Sequence, residues 1–151
     1  MPTLGDIVLA AAHKDALVSD CVQLTERRIA ARGGLRGAAV KTGVAMLKAA
    51  RPDILQRAVQ VLLPDFVTAL DPLFQEYAAA PAGAGFAVFI QRRREAAVAA
   101  LLGVADTRVS RVQNSAVKSL YGRLRGDAEG EVGAALPEFA TLLAGRIGGA
   151  I

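Results

Sequence analysis

The chain of 151 residues has few of the side chains that most often carry chemistry. It has no tryptophan, one histidine (His13) and one cysteine (Cys21). One cysteine excludes an internal disulfide, and two soft ligands do not complete a tetrahedral zinc site. A cysteine nucleophile would have only His13 as its base. We therefore expect no metal, no other cofactor and no enzymatic activity.

Long apolar segments are also missing. The longest, residues 96–105, is much shorter than the ~18 residues that a membrane-spanning helix needs. The first residues, Met1-Pro2-Thr3-Leu4, lack the basic region of a secretory signal. With the lone cysteine, these features predict a cytoplasmic protein without an integral membrane segment.

Positive charge is only mildly in excess, with a formal net charge of +4. The densest basic cluster is Arg92-Arg93-Arg94. Neither a recognition-helix motif nor basic residues interleaved with aromatics can be found, although nucleic-acid binders usually have one of these. We expect no nucleic-acid partner.

The chain is rich in small and aliphatic residues. Apolar residues make up 53% of it and aromatics only 5%, so Ala, Val and Leu supply most of the excess, beside 15 Gly. Because this composition favours helices with small residues at their contacts, it predicts an all-α fold. A mean hydropathy of +0.35 requires that apolar surface be hidden in a core, an interface or a ligand pocket.

An internal repeat is the strongest pattern. Leu63-Pro64-Asp65-Phe66 recurs as Leu136-Pro137-Glu138-Phe139, 73 residues later. Earlier segments match at offsets of 80 and 77, and the changes in offset fall at predicted turns. We predict one domain over residues 1–151, a compact helical bundle of two homologous, pseudo-symmetric units. The units span about residues 4–80 and 85–151, joined by a linker near 78–85.

Helix signals divide the first unit further. We expect a helix over about residues 4–12, a joint at 13–15, a longer helix from there to about 32, and helices from 35 to 50 and from 52 to 63, with Gly33-Gly34 as a C-cap. Pro64 either begins a new helix or kinks a continuous one. In either copy the acid after the proline is expected in a first turn, and the phenylalanine in the core.

Three cationic positions keep their charge in both copies: Arg28 and Arg108, Lys41 and Lys118, Lys48 and Arg125. The favoured interpretation is ion pairing between helices at the edge of the core, for example of Glu26 and Asp106 with Lys41 and Lys118. A second is that the cations surround an apolar cavity and bind an anionic head group. Contact with nucleic-acid phosphates is the weakest of the three.

Several stretches also resemble a known family. They are Gly34-Leu35-Arg36-Gly37, Pro52-Asp53, Leu62-Leu63-Pro64-Asp65-Phe66-Val67 and Ala116-Val117-Lys118. These residues are similar to those of a family of small, uncharacterised bacterial proteins classed as a domain of unknown function. The resemblance implies one all-helical domain and carries no catalytic residues over to this chain.

Two functional hypotheses follow. The first is a non-enzymatic binding protein that carries or senses a hydrophobic anionic ligand such as a fatty acid, in a pocket between bundle helices. The alternative is a protein-interaction or homodimerisation module without a small-molecule ligand. For the first, Lys41 or Lys118 would bind the head group, and the predicted pocket lining is Val44, Phe66, Leu70, Phe74, Tyr121 and Phe139.

Overall fold

Helices account for nearly all of the computed structural model, which describes residues 2–79 and 85–147. Within these ranges there are seven helices and no strand, which confirms the predicted all-α class. The helices are α1 (Leu4–Val8), α2 (Lys14–Ala31), α3 (Gly34–Ala50), α4 (Ile54–Ala79), α5 (Phe86–Arg92), α6 (Arg94–Arg111) and α7 (Ser115–Ile147).

The first helix is short and firmly anchored. Thr3 and Asp6 form a capping box, in which each side chain accepts a hydrogen bond from the other residue's backbone N–H. The backbone N–H of Leu4 donates to the Asp71 carboxylate on α4, at 2.8 Å. The helix ends at Val8, so the predicted extension to residue 12 is wrong; residues 9–13 form a turn instead.

A tight turn joins α2 to α3. Arg32 is the C-cap of α2, where we expected Gly33-Gly34. Gly34 instead begins α3 with a φ of 72°, in the left-handed region that favours glycine. A Cβ on Gly37 would overlap the backbone carbonyl of Arg32. Both glycines are therefore required by the turn and not by the end of α2.

The fourth helix is continuous through two prolines. Pro64 and Pro72 both lie inside α4, so the predicted break at Pro64 is absent and the alternative of one continuous helix is right. The Thr68 hydroxyl donates to the Pro64 carbonyl at 2.9 Å. Asp65 is consequently in mid-helix and not in a first turn, which removes the helix dipole as its role.

The last helix is longer than any other, with 33 residues. Pro137 lies inside it, and the Thr141 hydroxyl donates to the Pro137 carbonyl at 2.9 Å, as Thr68 does to Pro64. Asn114 precedes the helix and accepts hydrogen bonds from the N–H groups of Ala116 and Val117. Where the first half of the chain has α3 and α4, the second half has this single helix.

The core lies between α1, α2, α4, α5, α6 and α7. Its largest fully buried side chains include Phe74 and Phe86, whose rings meet edge to face with centroids 5.8 Å apart. Leu70 and Leu143 are wholly buried beside them. α3 contributes little to this core: Val40 is its one buried apolar side chain among those described. Of the predicted linker, Ala78 and Ala79 end α4, and residues 80–84 lie outside the described ranges.

Candidate functional site

An apolar cavity of about 340 Å³ lies among α2, α4, α6 and α7. Half-buried side chains in the N-terminal half of α4 form one of its walls. Almost all of its wall is carbon. The lining residues are Cys21, Leu24, Thr25, Arg28, Leu55, Ala58, Val59, Leu62, Leu63, Phe66, Leu101, Ala105, Glu131, Val132, Ala135, Leu136 and Phe139.

Small side chains explain why the four helices leave this space. Ala58, Ala105 and Ala135 lie in the wall on three different helices. Larger aliphatic residues at these positions would close the gap, because protein interiors otherwise pack to crystal-like density. On α4 the residues Leu55, Val59 and Leu62 follow helical spacing and therefore present one apolar face to the cavity.

The polar edge of the cavity consists mainly of Arg28 and Glu131. The Arg28 guanidinium is 3.4 Å from the Glu131 carboxylate, a long contact. Arg32 makes a shorter one to the same carboxylate, at 2.9 Å, and neutralises much of its charge. The Nε of Arg28 is buried and has no hydrogen-bond partner among the described residues. The Nε of Arg32 is buried without a partner in the same way, so this shortage of acceptors belongs to the arginine pair of α2.

Cys21 belongs to the apolar wall and not to the reactive groups. Its side chain is buried, and burial raises the pKa of the thiol to about 11, against a weaker opposing effect of Arg146. The thiol is neutral at physiological pH, which makes it a poor nucleophile.

Only part of the predicted pocket lining is brought together. Phe66 and Phe139 lie on opposite sides of the cavity, as members of α4 and α7. Leu70 and Phe74 lie in the solid core instead. Val44 and Tyr121 are half-buried on α3 and α7 and are not in the cavity lining.

The two predicted head-group lysines do not reach the cavity. Lys41 and Lys118 are both exposed, and neither is in its lining. The cation at the cavity is Arg28, which the sequence singles out as a duplicated charge without connecting it to a pocket. Sequence reasoning also missed Ala58, Ala105 and Ala135. Alanines at helical spacing along the edge of an apolar stripe could have indicated a gap between helices at these positions.

Most of the duplicated cations form ion pairs between helices. Lys48 on α3 pairs with Glu26 on α2 at 2.8 Å, and Arg125 on α7 pairs with Asp106 on α6 at 2.9 Å. The predicted pairing of Glu26 and Asp106 with Lys41 and Lys118 is therefore wrong. Each acid binds the cation seven residues later, which is Lys48 for Glu26 and Arg125 for Asp106. Arg108 pairs with Asp65 on α4.

Asp106 is the centre of a small polar cluster. Arg125 and Tyr121 both donate hydrogen bonds to its carboxylate, which lowers the pKa of Asp106. Partial burial and the hydrogen bond to Asp106 raise the pKa of Tyr121 to about 12. Asp106, Tyr121 and Arg125 are all outside the cavity lining, although Ala105, the residue before Asp106, is part of it. The charge of Asp106 is balanced by Arg125.

Two further kinds of site are absent from the described part of the chain. No group of three or more His, Cys, Asp or Glu residues is placed to hold a metal ion there. None of the helices in residues 2–79 and 85–147 is long and apolar enough to cross a membrane.

A family model matches residues 4–147, almost the whole chain. The chain belongs to the family of unknown function DUF6918. The match includes both halves of the bundle, all four helices of the cavity wall and both proline stretches. No curated protein and no solved structure matches the chain.

Proposed function

We propose that this protein is a non-enzymatic carrier or sensor of a hydrophobic anionic ligand, such as a fatty acid, that binds in the cavity among α2, α4, α6 and α7. The observation that carries the proposal is the apolar cavity of about 340 Å³ with Arg28 in its lining, whose guanidinium makes only a long contact, at 3.4 Å, to Glu131. This volume lies near the lower end of the range of small-molecule sites, roughly 300–1,000 Å³. A single acyl chain suits such a site better than a large polycyclic ligand.

The chemistry of the wall supports an acyl chain as the buried part. Its side chains are aliphatic or aromatic except at the edge near Arg28. Each methylene that leaves water for such a site contributes about 0.8 kcal/mol. Affinity would therefore come from the chain, and orientation from the polar end.

Arg28 supplies the polar end. A carboxylate beside it would compete with Glu131 for the terminal nitrogens of the guanidinium. The long contact to Glu131 and the shorter one from Arg32 make this exchange favourable, since Glu131 keeps a partner. Lys41 and Lys118, which we first expected in this role, are replaced by Arg28.

We also propose that the bundle arose by duplication and that the cavity lies on the axis relating its halves. In support, most lining residues fall into pairs that the repeat offsets connect. The pairs are Cys21 with Leu101, Thr25 with Ala105, Ala58 with Glu131, Val59 with Val132, Leu62 with Ala135, Leu63 with Leu136, and Phe66 with Phe139. A ligand between two equivalent walls would touch both units.

Other contacts support the same relation. The pairs Glu26–Lys48 and Asp106–Arg125 occupy equivalent positions. A Cβ on Gly43 would overlap the side chain of Leu120, which is its own equivalent in the second unit. Equivalent positions meet each other in this way near a two-fold axis.

The first test is direct. Lipids extracted from purified protein are identified by mass spectrometry, and stripped protein is then heated with saturated fatty acids of increasing length. Ligands that bind only the folded state raise the melting temperature. We expect stabilisation to grow with chain length until the chain fills the cavity. A protein that purifies without lipid and shows no shift with any acid would contradict the proposal.

Three variants locate the site. Ala135→Phe should fill the cavity and abolish the shift, whereas Ala99→Phe, on an exposed face of α6 outside the cavity lining, should keep it. Arg28→Met should weaken binding of the acid roughly ten- to a hundredfold, because a hydrogen bond to a charged group contributes about 1.5–3 kcal/mol. The methyl ester should lose much less.

Arg108→Met is the matched control for Arg28→Met. It removes the arginine at the equivalent position, whose guanidinium is occupied by Asp65 and is not in the cavity lining. We expect it to leave acid binding unchanged. Equal losses in both variants would show that net charge, and not a head-group contact, governs affinity.

A further inference from the structure

Two arginines occupy equivalent positions of the repeat, but they have different surroundings. Arg28 on α2 is part of the cavity lining, whereas Arg108 on α6 is not. Both side chains are half-buried, and each contacts an acid on a helix that carries a Leu-Pro-acid-Phe stretch. The position in the repeat therefore does not explain why only Arg28 borders the cavity.

The acid that follows each proline binds a different arginine in the two halves. Asp65 on α4 binds Arg108 on α6. By the repeat, the matching contact would join Glu138 on α7 to Arg28 on α2. Glu138 binds Arg27 instead, at 2.9 Å. The arginine one residue earlier has thus taken the partner that the repeat assigns to Arg28.

Two substitutions between the halves accompany this exchange. The position of Arg27 corresponds to Thr107, so no arginine directly before Arg108 competes with it for its acid. The position of Glu131, which Arg28 contacts, corresponds to Ala58. Where the additional arginine is present, the next arginine remains at the cavity, and where a threonine replaces it, the next arginine binds the acid after the proline.

Glu131 by itself is a weak anchor for Arg28. The contact between them is 3.4 Å long, and Arg32 already satisfies the same carboxylate at 2.9 Å. A carboxylate at position 138 without a partner of its own would be the better acceptor, because hydrogen bonds between ionised groups strengthen as they shorten. Whether Arg28 stays at the cavity therefore depends on whether Glu138 is occupied.

We propose that Arg27 is a positioning residue for Arg28: it occupies Glu138 and thereby keeps the Arg28 guanidinium beside the cavity. Arg27 lies outside the cavity lining and acts only through its neighbour. The consequence for a bound carboxylate rests on the proposed function, whereas the choice of partner concerns this chain alone. Without Arg27, Arg28 would divide its time between Glu138 and the cavity, and only the fraction at the cavity would bind an acid.

Urea unfolding tests the choice of partner without any ligand. The coupling between Arg28 and Glu138 is obtained from Arg28→Met, Glu138→Gln and the double variant. In the native background the two losses of stability should add, because the two residues do not pair there. In an Arg27→Thr background the double variant should lose less than the sum. Additive losses in both backgrounds would overturn the proposal, whatever binds in the cavity.

Calorimetry with dodecanoate tests the consequence for the head group. Arg27→Thr should raise the Kd roughly two- to fivefold, which is the range of one exposed ion pair, and should leave the Kd of the methyl ester unchanged. Arg27→Lys should keep the native affinity, because a lysine can also occupy Glu138. Adding Glu138→Gln to Arg27→Thr should restore it, because Arg28 then has no competing acid.

Two controls separate position from net charge. Arg93→Thr removes an arginine from a comparable exposed pair, with Glu76 at 2.7 Å and outside the cavity lining, and should leave the Kd for dodecanoate unchanged. Glu138→Gln alone adds positive charge and should also change nothing, since Arg28 is already in place.

Three results in the binding experiment would overturn the role of Arg27. They are an unchanged Kd in Arg27→Thr, equal weakening in Arg27→Thr and Arg93→Thr, and tighter binding in Glu138→Gln. A native protein that does not bind dodecanoate or any other fatty acid would contradict the proposed function instead, and the urea experiment would still decide which acid Arg28 selects.

Discussion

The two proline stretches of this bundle share a local structure and differ in their surroundings. Pro64 and Pro137 each lie inside a helix, and in each case a threonine four residues later donates to the proline carbonyl at 2.9 Å. The leucine before each proline is buried. The phenylalanines differ: Phe139 is buried, whereas Phe66 is only partly so.

The difference teaches that local sequence determines the helix and its neighbours determine the burial. Phe66 follows the α4 segment that forms the open wall of the cavity, so one side of its ring faces empty space. Phe139 lines the same cavity from α7 but packs more deeply into the core. Both four-residue stretches thus line the cavity, and they differ in how deeply the phenylalanine is buried.

The largest effect is expected from truncating these rings. Phe139→Ala should lower the free energy of unfolding by about 3–5 kcal/mol, because it leaves a void in packed surroundings. Phe66→Ala should cost less, about 1–2 kcal/mol, because the ring is partly exposed and borders a space that already exists. Urea unfolding measures both. Equal losses would mean that the cavity is closed in solution and that the two stretches are equivalent.

A smaller effect is expected from the turns before α3 and α7. Gly34→Ala should cost about 1–2 kcal/mol, because an alanine is strained at a φ of 72°. Gly33→Ala is its control: Gly33 has an extended backbone and open space around its Cα, so little should change. Urea unfolding again provides the measurement, and a loss in both variants would point to the α2–α3 connection as a whole.

The second of these turns relies on a side chain instead of a backbone conformation. Asn114→Ala should lower the free energy of unfolding by about 1 kcal/mol. The N–H groups of Ala116 and Val117, which donate hydrogen bonds to the Asn114 Oδ1, would lose their acceptor. Asn114→Ser should recover most of the loss in the same urea experiment, since serine also caps helices. If serine does not recover it, the asparagine has a role other than capping.

The smallest effect concerns protonation. Tyr121 has its pKa raised to about 12, so the neutral phenol stabilises the fold. That contribution is complete below the pKa of an unfolded tyrosine, about 10, and is lost as the pH rises through about 12. In a Tyr77→Phe background, ultraviolet absorbance follows Tyr121 alone, because the chain has two tyrosines. Asp106→Asn should lower the midpoint; an unchanged midpoint would leave burial as its entire cause.

A good part of this architecture could be predicted from sequence. The composition predicts an all-helical chain, and the starts and ends of α2 and α3 lie within about two residues of the predicted positions. The prolines misled the prediction of α4 and α7 because a helix can continue through proline when neighbouring packing offsets the lost hydrogen bond. A proline in the sequence indicates the lost backbone hydrogen bond, but it does not indicate the packing between helices that offsets this loss.

The candidate site was less predictable. Of the predicted lining residues, Phe66 and Phe139 lie in the wall of the cavity. Lys41 and Lys118 are exposed and outside the cavity lining. A spacing pattern does not say which edge of an apolar stripe meets a neighbouring helix. Arg28 was visible only as one of several duplicated cations.

By itself, the sequence determined the helical class, the positions of the tight turns and the repetition of the Leu-Pro-acid-Phe device, because these depend on local backbone preference and spacing. Tertiary structure alone decided which of the two phenylalanines is buried, which arginine borders a cavity and which acid each cation binds. These outcomes depend on contacts between helices that are far apart in the chain, where one alanine or one added turn changes what a side chain meets.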